Sequence, residues 1–170
     1  MVFGLTPKAT AGLCALVQDH NLFRKEYLAV LPSPPAEAAG ELRDHLFHDR
    51  GRNKAYVTDT PRKGSKEAIL DYRVLDTAAD GRTLVLVRLH TGRTHQIRAQ
   101  FASRGLPLVG DGKYGSREKS PYIALWAFRL TFPHPITGKT VTAQLPPDPR
   151  TVPWNSFADF FSSGGGEEDT

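Results

Sequence analysis

Cysteine is almost missing from this chain of 170 residues. Cys14 stands alone, so no internal disulfide can form, and a single thiol fits a reducing cytosol. Long hydrophobic runs are also lacking, and no stretch approaches the ~20 apolar residues of a membrane span. The opening "MVFGLTPKATAGLCALV" has no basic segment ahead of its apolar part, and Pro7 and Lys8 interrupt that part, so it does not read as a signal peptide. The late "SSGGG" lacks the Lys-Ser/Thr pair and the flanking strand and helix of a phosphate-binding loop. There is no internal repeat. With 39% hydrophobic and 24% charged residues, the composition is that of one soluble globular domain large enough for a real core.

Acidic residues are scarce where basic ones gather. Arg50, Arg52, Lys54, Arg62, Lys63 and Lys66 share a segment whose one acid is Asp59. A second block holds Arg93, Arg98, Arg104, Lys113, Arg117 and Lys119. The tail carries Glu167, Glu168 and Asp169, and removing those three acids from the net charge of +4 leaves +7 on the body. Basic blocks on a small cytosolic domain suit a polyanionic partner, and charge alone suits a solvated surface equally well. His45, His48, His90 and His95 could be imagined as metal ligands. With one Cys and no acidic ligand pattern beside them, they read as loop and surface histidines, so neither a metal nor a cofactor is expected.

Along the chain, Val2 to Leu5 reads as a short apolar strand, followed by Thr6 as the cap of a helix with Pro7 at its first position. Ala9, Leu13, Leu16 and Val17 recur at helical spacing and predict one buried face. "FRKEYLAVL" alternates, with Phe23, Lys25, Tyr27, Ala29 and Leu31 on one side, and "PSPPAEAAG" breaks into a loop. Ala68 to Leu75 and Thr83 to His90 predict a long hairpin across "AADG". Thr94 to Ser103 reads as a helix ended by Gly105 and Pro107, with Ile97 and Phe101 as its core stripe. "IALWAFRLTF" places Trp126 and Phe128 in a core, and "HPITGK" turns the chain into a partner strand, Thr140 to Leu145. "VPWNSFADFF" suggests a last short helix. The domain is expected over residues 1–161, with a disordered tail at 162–170. Strand runs outnumber helices, which predicts an α+β fold: a mainly antiparallel mixed sheet with flanking helices.

The densest chemistry lies in "TGRTHQIRAQ". Arg98 falls in the first half of a helix beside apolar residues, where a guanidinium needs a partner. Arginine suits a carboxylate or a phosphate held through two parallel hydrogen bonds, and Arg93 could meet a phosphate beside free helix N–H groups. On spacing alone, local pairing for stability stands somewhat ahead of a ligand-binding role.

Extended to "TGRTHQIRAQFASRGLPLVGDGKYG", the stretch closely resembles the signature of RluA-type pseudouridine synthases. "RKEYLAVL", "GSKEAILDYRVL" and "ALWAFRLTFPHPITGK" resemble further family segments in the same order, and the likeness spans roughly residues 1 to 160. It implies a pseudouridine synthase-like fold and an RNA partner, ribosomal or transfer RNA, in which uridine is isomerised by detaching the base and rejoining it through carbon 5. By the same resemblance Arg98 pairs with the family's essential aspartate, and Tyr27 lies against the target base and takes part in proton transfer. Arg93, Thr94, His95 and Gln96 become supporting or RNA-binding positions. The reaction so implied needs no metal or organic cofactor, and a cytoplasmic monomer is expected.

The family's aspartate lies in a His-Arg-Leu-Asp motif followed by an apolar strand and a Thr-x-x-Ala helix opening. The strand corresponds to Val2 to Leu5 and the opening to Thr6 to Ala9, so the motif would fall before Met1. "ELRDH" places Asp44 after the Tyr27 strand, in the wrong order, and Asp111 belongs to a Gly-Asp element that the family has in addition to its nucleophile. Both read as structural or loop residues, and Tyr114 reads as either an RNA contact or a packing residue. Three explanations stand: a catalytic domain incomplete at its N-terminus, a relative that binds RNA without modifying it, or a second chain that supplies the motif.

Overall fold

The computed structural model describes residues 2–19 and 22–164; the expected tail lies outside these residues from 165 onward. Seven strands form one sheet, β1 (Arg24–Leu31), β2 (Ala39–Asp49), β3 (Lys54–Thr58), β4 (Ser65–Thr77), β5 (Thr83–Leu89), β6 (Leu125–Pro133) and β7 (Thr140–Gln144). Their order is β3-β2-β4-β5-β1-β6-β7, and every pairing is antiparallel, so the mixed sheet expected from the sequence is antiparallel throughout. Three helices, α1 (Pro7–Gln18), α2 (Gln96–Ser103) and α3 (Ala158–Ser162), complete the α+β fold. Ser162, expected in the tail, closes α3. Among the described residues no helix is long and apolar enough to cross a membrane.

The centre of the sheet is covered on both faces. On one face Ala29, Leu31, Val85 and Val87 meet Ile97 and Phe101 of α2. On the other, Leu28, Val30, Leu84 and Phe128 meet Trp154 and Phe157 from the C-terminal segment. Two-sided burial explains why β1 ends in an unbroken apolar run, Leu28 to Leu31, where a half-exposed strand would alternate.

The start of the chain departs from the sequence reading. Val2 to Leu5 forms no strand, and Phe3 and Leu5 are 73% and 98% exposed, because no neighbouring strand offers them a ladder. Thr6 does cap α1, its side chain accepting from the Ala9 N–H at 3.2 Å. The expected stripe is only partly covered, however, and Val17 is 41% exposed. Strands β2 and β3 form a hairpin that periodicity did not single out. Helix α2 opens two residues later than predicted, because His95 adopts a left-handed conformation (φ 53°) at its N-terminus.

Candidate active site

Helix α2 lies on the sheet with Ile97 and Phe101 buried beneath it, which leaves Arg98 at the border of the core. Its guanidinium forms a two-bond fork with Asp111: Nε donates to Oδ2 at 2.6 Å and Nη2 to Oδ1 at 2.8 Å. Asp111 is fully buried and the Arg98 side chain is 13% exposed. This paired geometry is the strong form of a charge-assisted bond, and it pushes the guanidinium pKa above its ordinary range, chiefly through the hydrogen bond to Asp111. The fork leaves the Nη1 edge of Arg98 outside the Asp111 contact.

Asp111 is delivered by a strand-like connection. The Val109 N–H donates to the Val30 carbonyl at 2.9 Å, and the Ala124 N–H donates to the Val109 carbonyl at 2.9 Å. Gly110 turns the chain at φ +78°, where a β-carbon would collide with the Tyr122 carbonyl oxygen, so only glycine fits just before the buried carboxylate.

Tyr27 sits on β1 opposite Val87 of β5, at a register shift between Glu26 and Tyr27 in the pairing with β6. Such a bulge re-aims a side chain within an otherwise regular sheet. Burial pushes the Tyr27 hydroxyl above its usual pKa, so it carries its proton at neutral pH. Tyr27 and Arg98 line one cavity of about 380 Å³, together with Arg93, His95, Ile123 and Leu125.

The other residues singled out in the sequence divide into two groups. Gln96, expected among the RNA-contacting positions, is 3% exposed. Its Oε1 accepts from the Thr91 hydroxyl at 2.9 Å and the Arg93 N–H at 3.0 Å, and its Nε2 donates to the Ile69 carbonyl at 3.1 Å. That amide is spent on tying the 91–96 loop to β4. Arg93 is held further by Nε donating to the Glu67 carbonyl at 2.8 Å, while Thr94 is exposed. His95 Nδ1 lies 3.2 Å from the Tyr114 hydroxyl, and its pKa is lowered by burial first and by the Arg98 guanidinium second. Its ring is therefore neutral at physiological pH.

Tyr114 resolves to a packing position. Arg98 Cζ and Lys54 Nζ each lie 4.9 Å from its ring centre. Its hydroxyl accepts from the Ala55 N–H at 2.9 Å and donates to the Ala55 carbonyl at 3.1 Å, standing in for a strand beyond the edge strand β3. Lys54 Nζ donates to the Lys113 carbonyl at 2.6 Å and Lys113 Nζ to the Asn53 carbonyl at 2.9 Å, so the Gly112–Tyr114 turn is clipped to the β2–β3 hairpin. Asp44 is likewise structural, taking bonds from Gln100 Nε2 at 2.7 Å and Arg104 Nη1 at 2.9 Å. The role of Asp111 as the carboxylate on Arg98 was not foreseen in the sequence. Its trace there was the "GDGKYG" element that follows the helix.

A family profile described as RNA pseudouridylate synthase matches residues 1–103. The ribosomal large subunit pseudouridine synthase D of Zymomonas mobilis is 33% identical over 163 residues, covering 87% of this chain and 49% of that protein. The dual-specificity RNA pseudouridine synthase RluA of Salmonella typhi is 33% identical over 132 residues, covering 74% of this chain and 58% of its own length. The chain thus spans about half the length of the curated relatives it matches. The solved structure of human RNA pseudouridylate synthase domain containing 1 shares the fold, with a TM-score of 0.74 at 23% identity over 96% of this chain and 73% of that one. With its sheet, its Arg98-bearing helix and most of its length matched in these ways, the chain belongs to the RNA pseudouridylate synthase family, in its RluA-type branch.

Proposed function

We propose that this chain carries the base-binding and arginine portion of a site that isomerises uridine to pseudouridine in RNA. The observation that carries this reading is the shared cavity of Tyr27 and Arg98, whose volume of about 380 Å³ suits a single base turned out of its stack. In the reaction the C1′–N1 bond breaks, the uracil rotates, a C1′–C5 bond forms, and the proton lost from C5 is balanced by one gained at N1. Atoms and electrons balance within the substrate, so the chemistry calls on no metal, redox partner or organic cofactor. Tyr27 supplies a flat ring against the uracil and a protonated hydroxyl for the proton step. Arg98 presents its Nη1 edge to the catalytic carboxylate and keeps it ionised. Asp111 is not that carboxylate, since it is fully buried with both oxygens on Arg98, and Asp44 is engaged by Gln100 and Arg104. The RNA is ribosomal or transfer RNA, and the relative named for the large ribosomal subunit favours the former. Action in the cytoplasm fits the single cysteine.

RNA labelled with tritium at uridine C5 tests the reading, because C1′–C5 bond formation expels that hydrogen to water. The protein isolated from its source cells should release tritium, and Arg98→Ala in the same protein should abolish release while RNA binding persists. Tight binding of RNA with no release by the unaltered protein would make it a binding module, and normal release by Arg98→Ala would remove Arg98 from the mechanism.

A further inference from the structure

Next to the Tyr27–Arg98 cavity lies a second hollow of about 310 Å³ on the same face of the sheet. Its wall includes Arg50, Lys66, Arg93, Thr94 and His48, contributed by β2, β4, the β2–β3 turn and the loop before α2. The register explains the convergence. Leu46 of β2 pairs with both Val57 of β3 and Lys66 of β4, and His48 pairs with Ala55, so alternation points Lys66, Leu46 and His48 to one face. The nearby acids are turned elsewhere. Glu67, one residue from Lys66, takes Arg43 Nη1 at 3.0 Å on the opposite face, and Asp49 accepts from the Arg52 N–H at 3.0 Å. Among the described residues no carboxylate pairs with Arg50 or Lys66, and none lines the hollow.

Cations converging on a concave site with no acid in its wall repel one another, and folding alone gives no reason to gather them. A phosphodiester relieves that repulsion. Arg93 lines this hollow as well as the Tyr27–Arg98 cavity, so one extended strand can reach both. Its Nε bond to the Glu67 carbonyl fixes the stem at the boundary between them and leaves the remaining guanidinium nitrogens for a ligand.

We infer that the hollow formed by Arg50, Lys66, Arg93 and Thr94 is a backbone subsite, which binds an RNA phosphodiester flanking the uridine held between Tyr27 and Arg98. This rests on the reading of the chain as an RNA-modifying protein and adds where the strand runs: from the cavity across Arg93 toward the β2–β3 hairpin. Thr94 offers a hydroxyl donor to a phosphate oxygen, and the His48 imidazole on the same wall carries a ring N–H.

Fluorescence anisotropy with a labelled ten-nucleotide oligouridylate, titrated between about 50 and about 200 mM salt, tests the subsite. Lys66→Ala and Arg50→Ala should each weaken binding and flatten the log–log salt slope by about one. Lys66→Arg should restore it, and Lys139→Ala, which removes an equal charge at the β6–β7 turn, should leave the slope in place. A single neutral methylphosphonate linkage, moved along the oligomer, should weaken binding to the unaltered protein at one position and have no further effect there on Lys66→Ala. Should Lys66→Ala and Arg50→Ala behave like Lys139→Ala, the subsite is refuted and the RNA reading stands. Should the unaltered protein fail to bind the oligomer, both fall together.

Discussion

At His95 the backbone and the ring are governed by different neighbours. The residue sits at φ 53°, a conformation that costs a non-glycine residue about 1–2 kcal/mol and that asparagine tolerates best. Its ring is half-buried between Tyr114 and two cations, Arg98 and Lys113, and burial comes first among the causes that lower its pKa. A histidine whose folded pKa lies below its unfolded value holds fewer protons folded than unfolded across that window. Stability is therefore highest above about pH 6.5 and declines as the pH falls and the unfolded chain takes up the proton. His95→Asn keeps the left-handed turn and removes the titration. Urea midpoints at about pH 5.5 and about pH 7.5 should differ less in the variant than in the unaltered protein. An unchanged difference would assign the pH dependence to other groups. The turn itself could not be read from composition, since helical spacing through Thr94 and His95 continues smoothly while the chain has already left the helix.

Among the elements, the β2–β3 hairpin depends most on a residue distant in sequence. β3 is an edge strand, and the Tyr114 hydroxyl satisfies both polar backbone groups of Ala55 at once. Tyr114→Phe retains the ring between Arg98 and Lys54 and removes the two Ala55 bonds together with the hydroxyl's contact to His95 Nδ1, which should cost about 1–3 kcal/mol. Amide exchange should localise the loss: the Ala55 N–H should exchange faster in the variant, with Leu28 and Val85 protected as before. The hairpin was hard to see in the sequence for a related reason. On the inward face of β2, Leu42 and Leu46 alternate with Asp44 and His48, so the period-two signal is diluted by polar residues. Asp44 is acceptable there because Gln100 and Arg104 of the α2 region meet it, a pairing 56 to 60 residues away that no local pattern reveals. By contrast, β1, β4, β5 and β6 were legible because their apolar residues are dense, and α2 was legible because Ile97 and Phe101 carry its stripe. In the candidate site, Tyr27 and Arg98 were legible through resemblance to the family signature. The Asp111 fork and the structural use of Gln96 needed the third dimension.

Taken whole, the molecule is a sheet whose centre is buried on both faces, and its strand order differs strongly from chain order. β1 lies between β5 and β6, so the strand that bears Tyr27 is made early and completed late. Glu26 of β1 and Arg129 of β6 meet although they lie 103 positions apart in the chain. Contacts at that separation demand loop closure before any compensating burial, which slows folding relative to helical domains of similar size. On the ribosome the consequence is one of timing. Until Leu125–Pro133 has emerged from the exit tunnel, one side of β1 has no partner and the apolar run Leu28 to Leu31 stays open to proteases and chaperones. A nascent chain arrested short of Leu125 should be digested rapidly by a protease that spares the chain arrested after the C-terminal helix has emerged, so the Tyr27–Arg98 cavity can form only once most of the chain has been synthesised.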